Sequence, residues 1–189
     1  MLCFSNNLLV KSLRSFIKIL PIENISFYNN EIGLTIKADH LCQILRFLRQ
    51  HTHTQFHVLV SITAVDSLQK YNRFELNYEL LSLKFNSRIR IKVLLSELYL
   101  ISSCEALYSA ATWYECEVWD MFGIYFTNHT NLKRILTDYG FEGFPLRKDF
   151  PLCGFVEIQF NELKKRIITD SIELTQEYRT FNFSSPWGL

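Results

Sequence analysis

No apolar run in this chain approaches the roughly 18 to 20 residues needed to cross a bilayer, so nothing in the sequence reads as a membrane span. The five cysteines (Cys3, Cys42, Cys104, Cys116 and Cys153) are scattered, odd in number and contain no C-x-x-C pair. Zinc sites and iron–sulfur clusters need several thiolates at short spacing, which is missing. A disulfide framework is equally unsupported, and a reducing compartment is the simpler reading. Nucleotide loops of the G-x-G-x-x-G and G-x-x-x-x-G-K-[ST] types are absent, as are G-x-S-x-G and H-E-x-x-H. Neither sign of charge dominates: 20 basic against 19 acidic side chains leave +1, too little to hold nucleic acid or anionic lipid. The N-terminus, Met1 to Asn7, has neither the basic start of a secretory signal nor the long Arg- and Ser-rich stretch of an imported mitochondrial precursor. Glycine (6) and proline (4) are scarce beside 16 Phe and 9 Tyr, a skew that an A+T-rich organelle genome or a large aromatic core would each produce.

What is present fits one ordinary domain with an extension. The 189 residues, 48% of them hydrophobic, can bury a real core. Leu8, Leu9, Leu13, Phe16, Ile17 and Leu20 recur at helical spacing until Pro21. Ile25–Tyr28 and Ile32–Lys37, joined by Asn29-Asn30, read as a hairpin. Asp39 is placed to cap a helix with Leu41, Ile44, Leu45 and Leu48 on one face. Phe56 to Val65 is apolar on both faces, as expected of an interior strand. The clearest hairpin alternates Phe74, Leu76, Tyr78 and Leu80 with Arg73, Glu75, Asn77 and Glu79, then Ile89, Ile91 and Val93 with Arg88, Arg90 and Lys92. Ser102-x-x-Glu105 and Thr112-x-x-Glu115 are capping-box patterns; the second opens a helix from Trp113 to about Phe122, closed by Gly123. Residues 137–154, with Gly140, Gly143, Gly154, Pro145 and Pro151, form an ordered loop or extended arm. The order predicts an α+β fold: a two-layer domain with helices packed on a mixed β-sheet, plus an extended C-terminal arm and tail. The core domain covers 1–136 and the arm and tail 137–189. The tail has one amphipathic stretch from about Asn161 and an aromatic, non-periodic end from Tyr178 to Leu189 that must lie on another surface.

Two constellations could carry chemistry. His51, His53 and His57 cluster at a loop-to-strand junction and read as a solvated loop. Glu117 and Asp120 share one face of the helix, with Glu115 beside them. Two such carboxylates could act as general acid and base of a small hydrolase. With no nucleophile or histidine relay nearby, they read instead as buried acids paired with Arg134, Arg147 or Lys148. The segment Gly143 to Leu152 is stiffened by Pro145 and Pro151 around Arg147-Lys148-Asp149 and suits docking on a protein surface. The residues alone thus lead to an α+β interaction domain without visible catalytic machinery.

Glu115-Cys-Glu-Val-Trp-Asp-Met-Phe-Gly-Ile-Tyr-Phe126, then His129, then Leu132 to Gly143, closely resembles the hallmark of the thirty-kilodalton-type subunit of respiratory complex I. That family carries E-R-E-x-x-D, a fixed gap to a His, basic and aliphatic residues, and an arm G-H-P-L-R-K-D-[FY]-P-L, here Gly143 to Leu152. Ile62 to Asp66, Arg73-Phe-Glu and Ser185-Pro-Trp187 also look like the family, so the resemblance spans nearly the whole chain. Cys116 stands where the family has Arg, and Phe144 where it has His.

The resemblance implies a non-redox structural subunit of the peripheral arm of proton-translocating NADH:ubiquinone oxidoreductase, bracing the quinone-site region and contributing no catalytic residue. It implies no cofactor bound by this chain, with NAD, FMN, iron–sulfur clusters and ubiquinone held by the parent complex. Its partners would be other peripheral-arm subunits, above all the large quinone-site subunit and the terminal-cluster subunit. Nucleic acid would play no part, and membrane association would come only through the complex. The place implied is the matrix side of the mitochondrial inner membrane, and the short N-terminus and skewed composition favour mitochondrial encoding. The motif and interface residues carried over are Glu115, Glu117, Asp120, Gly123, His129, Lys133, Arg134, Gly143, Pro145, Arg147, Lys148, Asp149, Pro151 and Trp187. The equivalent subunit of a hydrogenase-type or chloroplast-type complex shares the domain and is the alternative within the same class.

Overall fold

The computed structural model describes residues 20–28, 31–173, 176, 179–181, 183 and 187. The helix expected from Leu8, apart from Leu20, lies outside them, as do the Asn29-Asn30 turn and much of the aromatic tail.

Period-two patterning builds the sheet. Strands β1 (Ile22–Tyr28) and β2 (Glu31–Ile36) form the first antiparallel pair. Ile32, Leu34 and Ile36 point into the core while Glu31 and Thr35 face away, the alternation a pleat imposes. Helix α1 (Leu41–Gln50) follows a 3-10 turn over Ala38–His40, with Leu41, Ile44, Leu45 and Leu48 all fully buried. Asp39 does not cap it. His40 is the N-cap residue and makes no side-chain bond, while Asp39 accepts the Tyr99 hydroxyl, which takes the carboxylate away from the helix end.

Strands β3 (Val58–Asp66), β4 (Phe74–Ser82) and β5 (Ser87–Leu95) complete a five-stranded sheet of order β1-β2-β5-β4-β3. The pair β2–β5 is parallel and the others antiparallel, so the sheet is mixed. Register in β4–β5 puts Leu76, Tyr78 and Leu80 beside Val93, Ile91 and Ile89 on the buried face. On the wet face Glu79 meets Arg90, and Lys92 reaches Glu75 at 3.0 Å. Strand β3 is an edge strand rather than the interior one its apolar run suggested. Its Leu59 and Ile62 are buried, whereas Val60 and Val65 remain close to half exposed. The edge is managed by a helix instead of a further strand.

That helix is α2 (Ala111–Phe122), which packs along β3 and whose Tyr114 hydroxyl donates to the Val60 carbonyl at 2.7 Å. The short parallel pair β6 (Ile101–Ser102) and β7 (Phe126–Thr127) brackets it. Neither capping box forms. Ser102 lies in β6, and Glu105 turns outward to accept the Thr130 amide and hydroxyl. Thr112 sits inside the first turn of α2 with its hydroxyl on the Ser109 carbonyl, and Glu115 is engaged elsewhere. Gly123 ends α2 in the left-handed conformation (φ 75°), as expected of a C-terminal cap.

The chain divides into two compact units between Phe150 and Pro151, not at 136/137. The reason is that residues 137–150 are bound to the core by ion pairs and backbone bonds described below. The second unit holds a hairpin of β8 (Val156–Asn161) and β9 (Arg166–Ser171) that the sequence reading did not anticipate. Its turn is set by the Asn161 side chain, which accepts the Leu163 and Lys164 amides. Val156, Ile158, Phe160 and Ile167 share one face of it and are exposed.

Candidate functional site

The motif residues resolve into three small machines around α2. The first holds Glu115, which is fully buried. Its carboxylate accepts the Ser103 hydroxyl at 2.5 Å and the Cys104 amide at 2.8 Å, with the Cys104 thiol at 3.1 Å. His129 lies beside it, Nε2 3.9 Å from the carboxylate. The Asn131 amide donates to His129 Nδ1 at 3.0 Å, and Nε2 is 3.2 Å from the Thr112 carbonyl. These contacts make Nδ1 the acceptor and Nε2–H the donor. Cys116, in the place of the family's Arg, is buried with its thiol 3.5 Å from the Asn131 carbonyl. Among the described residues Glu115 therefore has no Arg or Lys partner and is satisfied by hydrogen bonds.

Burial and the adjacent Glu115 push the Cys104 thiol far up, and burial does the same to Cys42. A thiolate is the reactive form, so the buried Cys104 is a poor nucleophile. Iodoacetamide at pH 8 on the folded chain should alkylate exposed Cys153 at least tenfold faster than Cys104, read by peptide mass spectrometry. Comparable rates would show that the Glu115 pocket opens in solution.

The second machine is Asp120, also fully buried. Its Oδ2 accepts the amides of Ile135, Leu136 and Thr137 at 3.1, 2.7 and 3.0 Å, and Oδ1 accepts the Thr137 hydroxyl at 2.7 Å. Arg134 approaches at 3.5 Å. Burial alone would raise this carboxyl, but the Leu136, Thr137 and Ile135 bonds outweigh it and hold it below the usual range. Asp120 thereby ties residues 134–137 along α2.

The third joins the arm to the sheet. Asp66 and Arg73, flanking the β3–β4 loop, form a two-pronged ion pair at 2.9 and 3.0 Å. Arg73 also reaches Asp149 at 2.9 Å and Glu97 at 3.4 Å, and Arg147 reaches Glu97 at 2.7 Å. The Lys148 amide donates to Asp66 at 2.8 Å, the Leu146 amide to the Met121 carbonyl at 3.1 Å, and Arg147 Nε to the Phe122 carbonyl at 2.7 Å. The Arg73 hydrogen bond holds both Asp66 and Asp149 below the usual carboxylate range. Phe144, in the place of the family's His, lies under the Arg147 and Arg134 guanidinium groups at 4.6 and 5.1 Å and edge-on to Trp119. Any Cβ at Gly123 would strike Phe144 at 2.6 Å, so the cap glycine also makes room for the arm.

Several readings need correction. Glu117 is exposed and unpaired among the described residues, although Asp120 three positions on is buried. The two do not share a pocket, and Asp120 has its lone pairs occupied, so the acid–base reading fails. Arg147 pairs with Glu97 rather than with a helix acid, and the Lys148 side chain is exposed. Lys133 is exposed as well, as are Pro151 and Trp187 in the second unit. Gly143 (φ 99°) packs against Phe150, and Pro145 is half-buried. His51 and His53 lie in the turn after α1 with their rings 5.6 Å apart, and His57 is exposed. Sequence reasoning missed Ser103, Cys104, Glu97 and Thr137. Asp66 and Arg73 were noted only as family-like, although their position at the two ends of one hairpin loop was a usable signal.

Among the described residues no three His, Cys, Asp or Glu side chains gather into a metal-binding group. The buried thiols face carboxylate and carbonyl oxygens, so this donor set does not fit an iron–sulfur cluster. No described helix is long and apolar enough to cross a membrane.

Comparison with known proteins gives consistent matches. A sequence model described as the respiratory-chain NADH dehydrogenase, 30 Kd subunit, matches residues 34–156. The chain is 50% identical to NADH-ubiquinone oxidoreductase subunit 9 of Reclinomonas americana, over 92% of this chain and 86% of that one. It is 54% identical to NADH dehydrogenase (ubiquinone) iron-sulfur protein 3 of Beta trigyna, over 79% and 78%. Among solved structures it resembles the trypsin-resistant fragment of Nqo5 (25% identity, TM-score 0.55, 66% of this chain and 98% of that one). A chain of the archaeal membrane-bound sulfane sulfur reductase shares the fold (23% identity, TM-score 0.66, 76% and 85%).

Proposed function

Because this chain belongs to the 30 Kd subunit family of respiratory-chain NADH dehydrogenase, we propose that it works as a non-redox brace in the peripheral arm of NADH:ubiquinone oxidoreductase. One observation carries this reading. The acids and bases of the motif block that are buried, Glu115, Asp120 and His129, are all engaged in holding loops to α2, and none has exposed side-chain surface to offer a substrate. A site so built fixes shape and does not turn over a substrate. What it fixes is the course of residues 129–137 along α2, while the Asp66, Arg73 and Arg147 contacts hold the arm from Gly143.

The neighbours proposed are the large quinone-site subunit and the terminal-cluster subunit, on the matrix side of the mitochondrial inner membrane, with the gene in the mitochondrial genome. NAD, FMN, iron–sulfur clusters and ubiquinone belong to those neighbours and to the rest of the complex. The second unit is proposed to dock on them: Phe181, Phe183 and Trp187 are largely exposed, and a two-stranded hairpin with an uncovered apolar face is marginal in water.

The test separates assembly from chemistry. In membranes carrying Asp120→Asn, the amount of assembled complex on a native gel should fall severalfold, while NADH:ubiquinone turnover per assembled complex stays within about twofold. Normal assembly with abolished turnover would overturn the bracing role.

A further inference from the structure

The outward stripe of α2 has one feature the bracing role does not use. Trp113 is 64% exposed, and Glu117, one turn further along the same stripe, is exposed with no hydrogen bond or ion pair among the described residues. Every other side of this helix is taken. Ala111, Val118 and Phe122 join the core, while Thr112, Cys116 and Asp120 are covered by residues 129–137. Beside the stripe, the Tyr114 hydroxyl donates to the carbonyl of Val60, itself close to half exposed.

We infer that Trp113 and Glu117 form a docking surface for an arginine-bearing segment of a neighbouring subunit, a proposal that rests on the family reading for the existence of the complex. Charge and shape choose that occupant. An apolar segment covering Trp113 and Val60 would strand the Glu117 carboxylate away from water, which is strongly penalised unless a cation comes with it. An acidic segment or an anionic lipid headgroup would be repelled. Indole is the best aromatic face for a cation, and a guanidinium can stack on it while bonding a carboxylate in plane, which an ammonium does less well. The stripe is also rigid before binding, since buried Glu115 and Asp120 anchor the helix on both sides, so little ordering is lost on contact.

The experiment uses the full chain in cells lacking their own copy, with the fraction retained in the large NADH dehydrogenase particle read on native gels at 50 and 300 mM salt. Glu117→Arg should lower retention about tenfold, with Glu117→Asp close to wild type. Trp113→Ala and Glu117→Gln should each lower it severalfold, the Glu117→Gln loss relative to wild type shrinking at the higher salt, where the ion pair it removes is screened. Because both would touch one guanidinium, the double variant should lose less than the product of the two losses. Wild-type retention of Glu117→Arg, or full additivity of the pair, overturns the assignment. So does self-association of the purified chain that Glu117→Arg abolishes, which would make a second copy the occupant. A wild-type chain that fails to enter any NADH dehydrogenase particle would instead bring down the family-based function. Unchanged thermal melts of Glu117→Arg and Glu117→Gln exclude misfolding as the cause, as their exposed position leads one to expect.

Discussion

Arg73→Met should destabilise the chain by about 3 to 5 kcal/mol, because it strands a buried carboxylate without its cation. The Asp66 side chain is only 1% exposed, and Arg73 supplies both of its charged contacts. The substitution also releases Asp149, the outer end of the same chain of ion pairs. Urea unfolding of the full chain measures the loss. The double variant Arg73→Met/Asp66→Leu should recover more than half of it, since removing both partners leaves no orphaned charge. A loss under about 1 kcal/mol would mean that water reaches Asp66 in solution. The pH dependence carries its own signature. Asp66, Asp120 and Asp149 all titrate below the unfolded value of about 3.9, so their stabilisation is complete above that value. It is lost as pH falls through their lower folded values. Stability should therefore hold from pH 7 to about 5 and drop below about 4, less steeply in Arg73→Met than in the wild-type chain.

Asp120→Ala should cost a similar amount, about 3 to 5 kcal/mol, for a different reason. No single strong ion pair is lost. Instead the three backbone amides of residues 135–137 and the Thr137 hydroxyl lose their common acceptor, and each buried unsatisfied donor costs about 1 to 3 kcal/mol before water relieves part of it. Asp120→Asn should cost less, about 1 to 3 kcal/mol, because its one oxygen can still accept the amides and the Thr137 hydroxyl can turn to accept from its NH2, with only the contact to the Arg134 guanidinium lost. Glu117→Gln, one turn away in the same motif, should stay within about 0.5 kcal/mol. The contrast between the two acids, read by thermal unfolding of parallel preparations, checks the sorting of the motif into buried and outward-facing charges. Equal losses at both positions would refute it.

The parts of this fold that were legible in the sequence are those that repeat. Leu41, Ile44, Leu45 and Leu48 mark α1 because a helix buries every third or fourth residue, and Phe74 to Leu80 marks β4 because a strand buries every second. The misreadings share a cause as well. Asp39, Ser102 and Thr112 have the right side chains to cap a helix, but Tyr99 takes Asp39 and Thr130 takes Glu105 through contacts distant in sequence, while Thr112 turns back onto the Ser109 carbonyl, a local bond that competes with capping. Glu117 and Asp120 looked equivalent because helical spacing places residues relative to each other and says nothing about which side faces water. The hairpin of the second unit escaped notice although Val156, Ile158 and Phe160 alternate, because its return strand, Arg166–Ser171, alternates only weakly.

The parallel pairing of β2 with β5 also sets an order of events during synthesis. Ile32 cannot close its second edge until Ile89 exists, whereas β3, β4 and β5 pair with neighbours in sequence. On the ribosome the N-terminal hairpin therefore emerges early and waits with the outer edge of β2 open, α1 alone being available to shield Ile32, Leu34 and Ile36, while the three-stranded meander forms beside it. Closure of the arm comes later still, since the Lys148 amide must reach back to Asp66. A nascent chain of this protein thus carries an open sheet edge from the end of β2 at Ile36 until β5 begins at Ser87, the interval in which unpaired strand edges are most exposed to wrong partners.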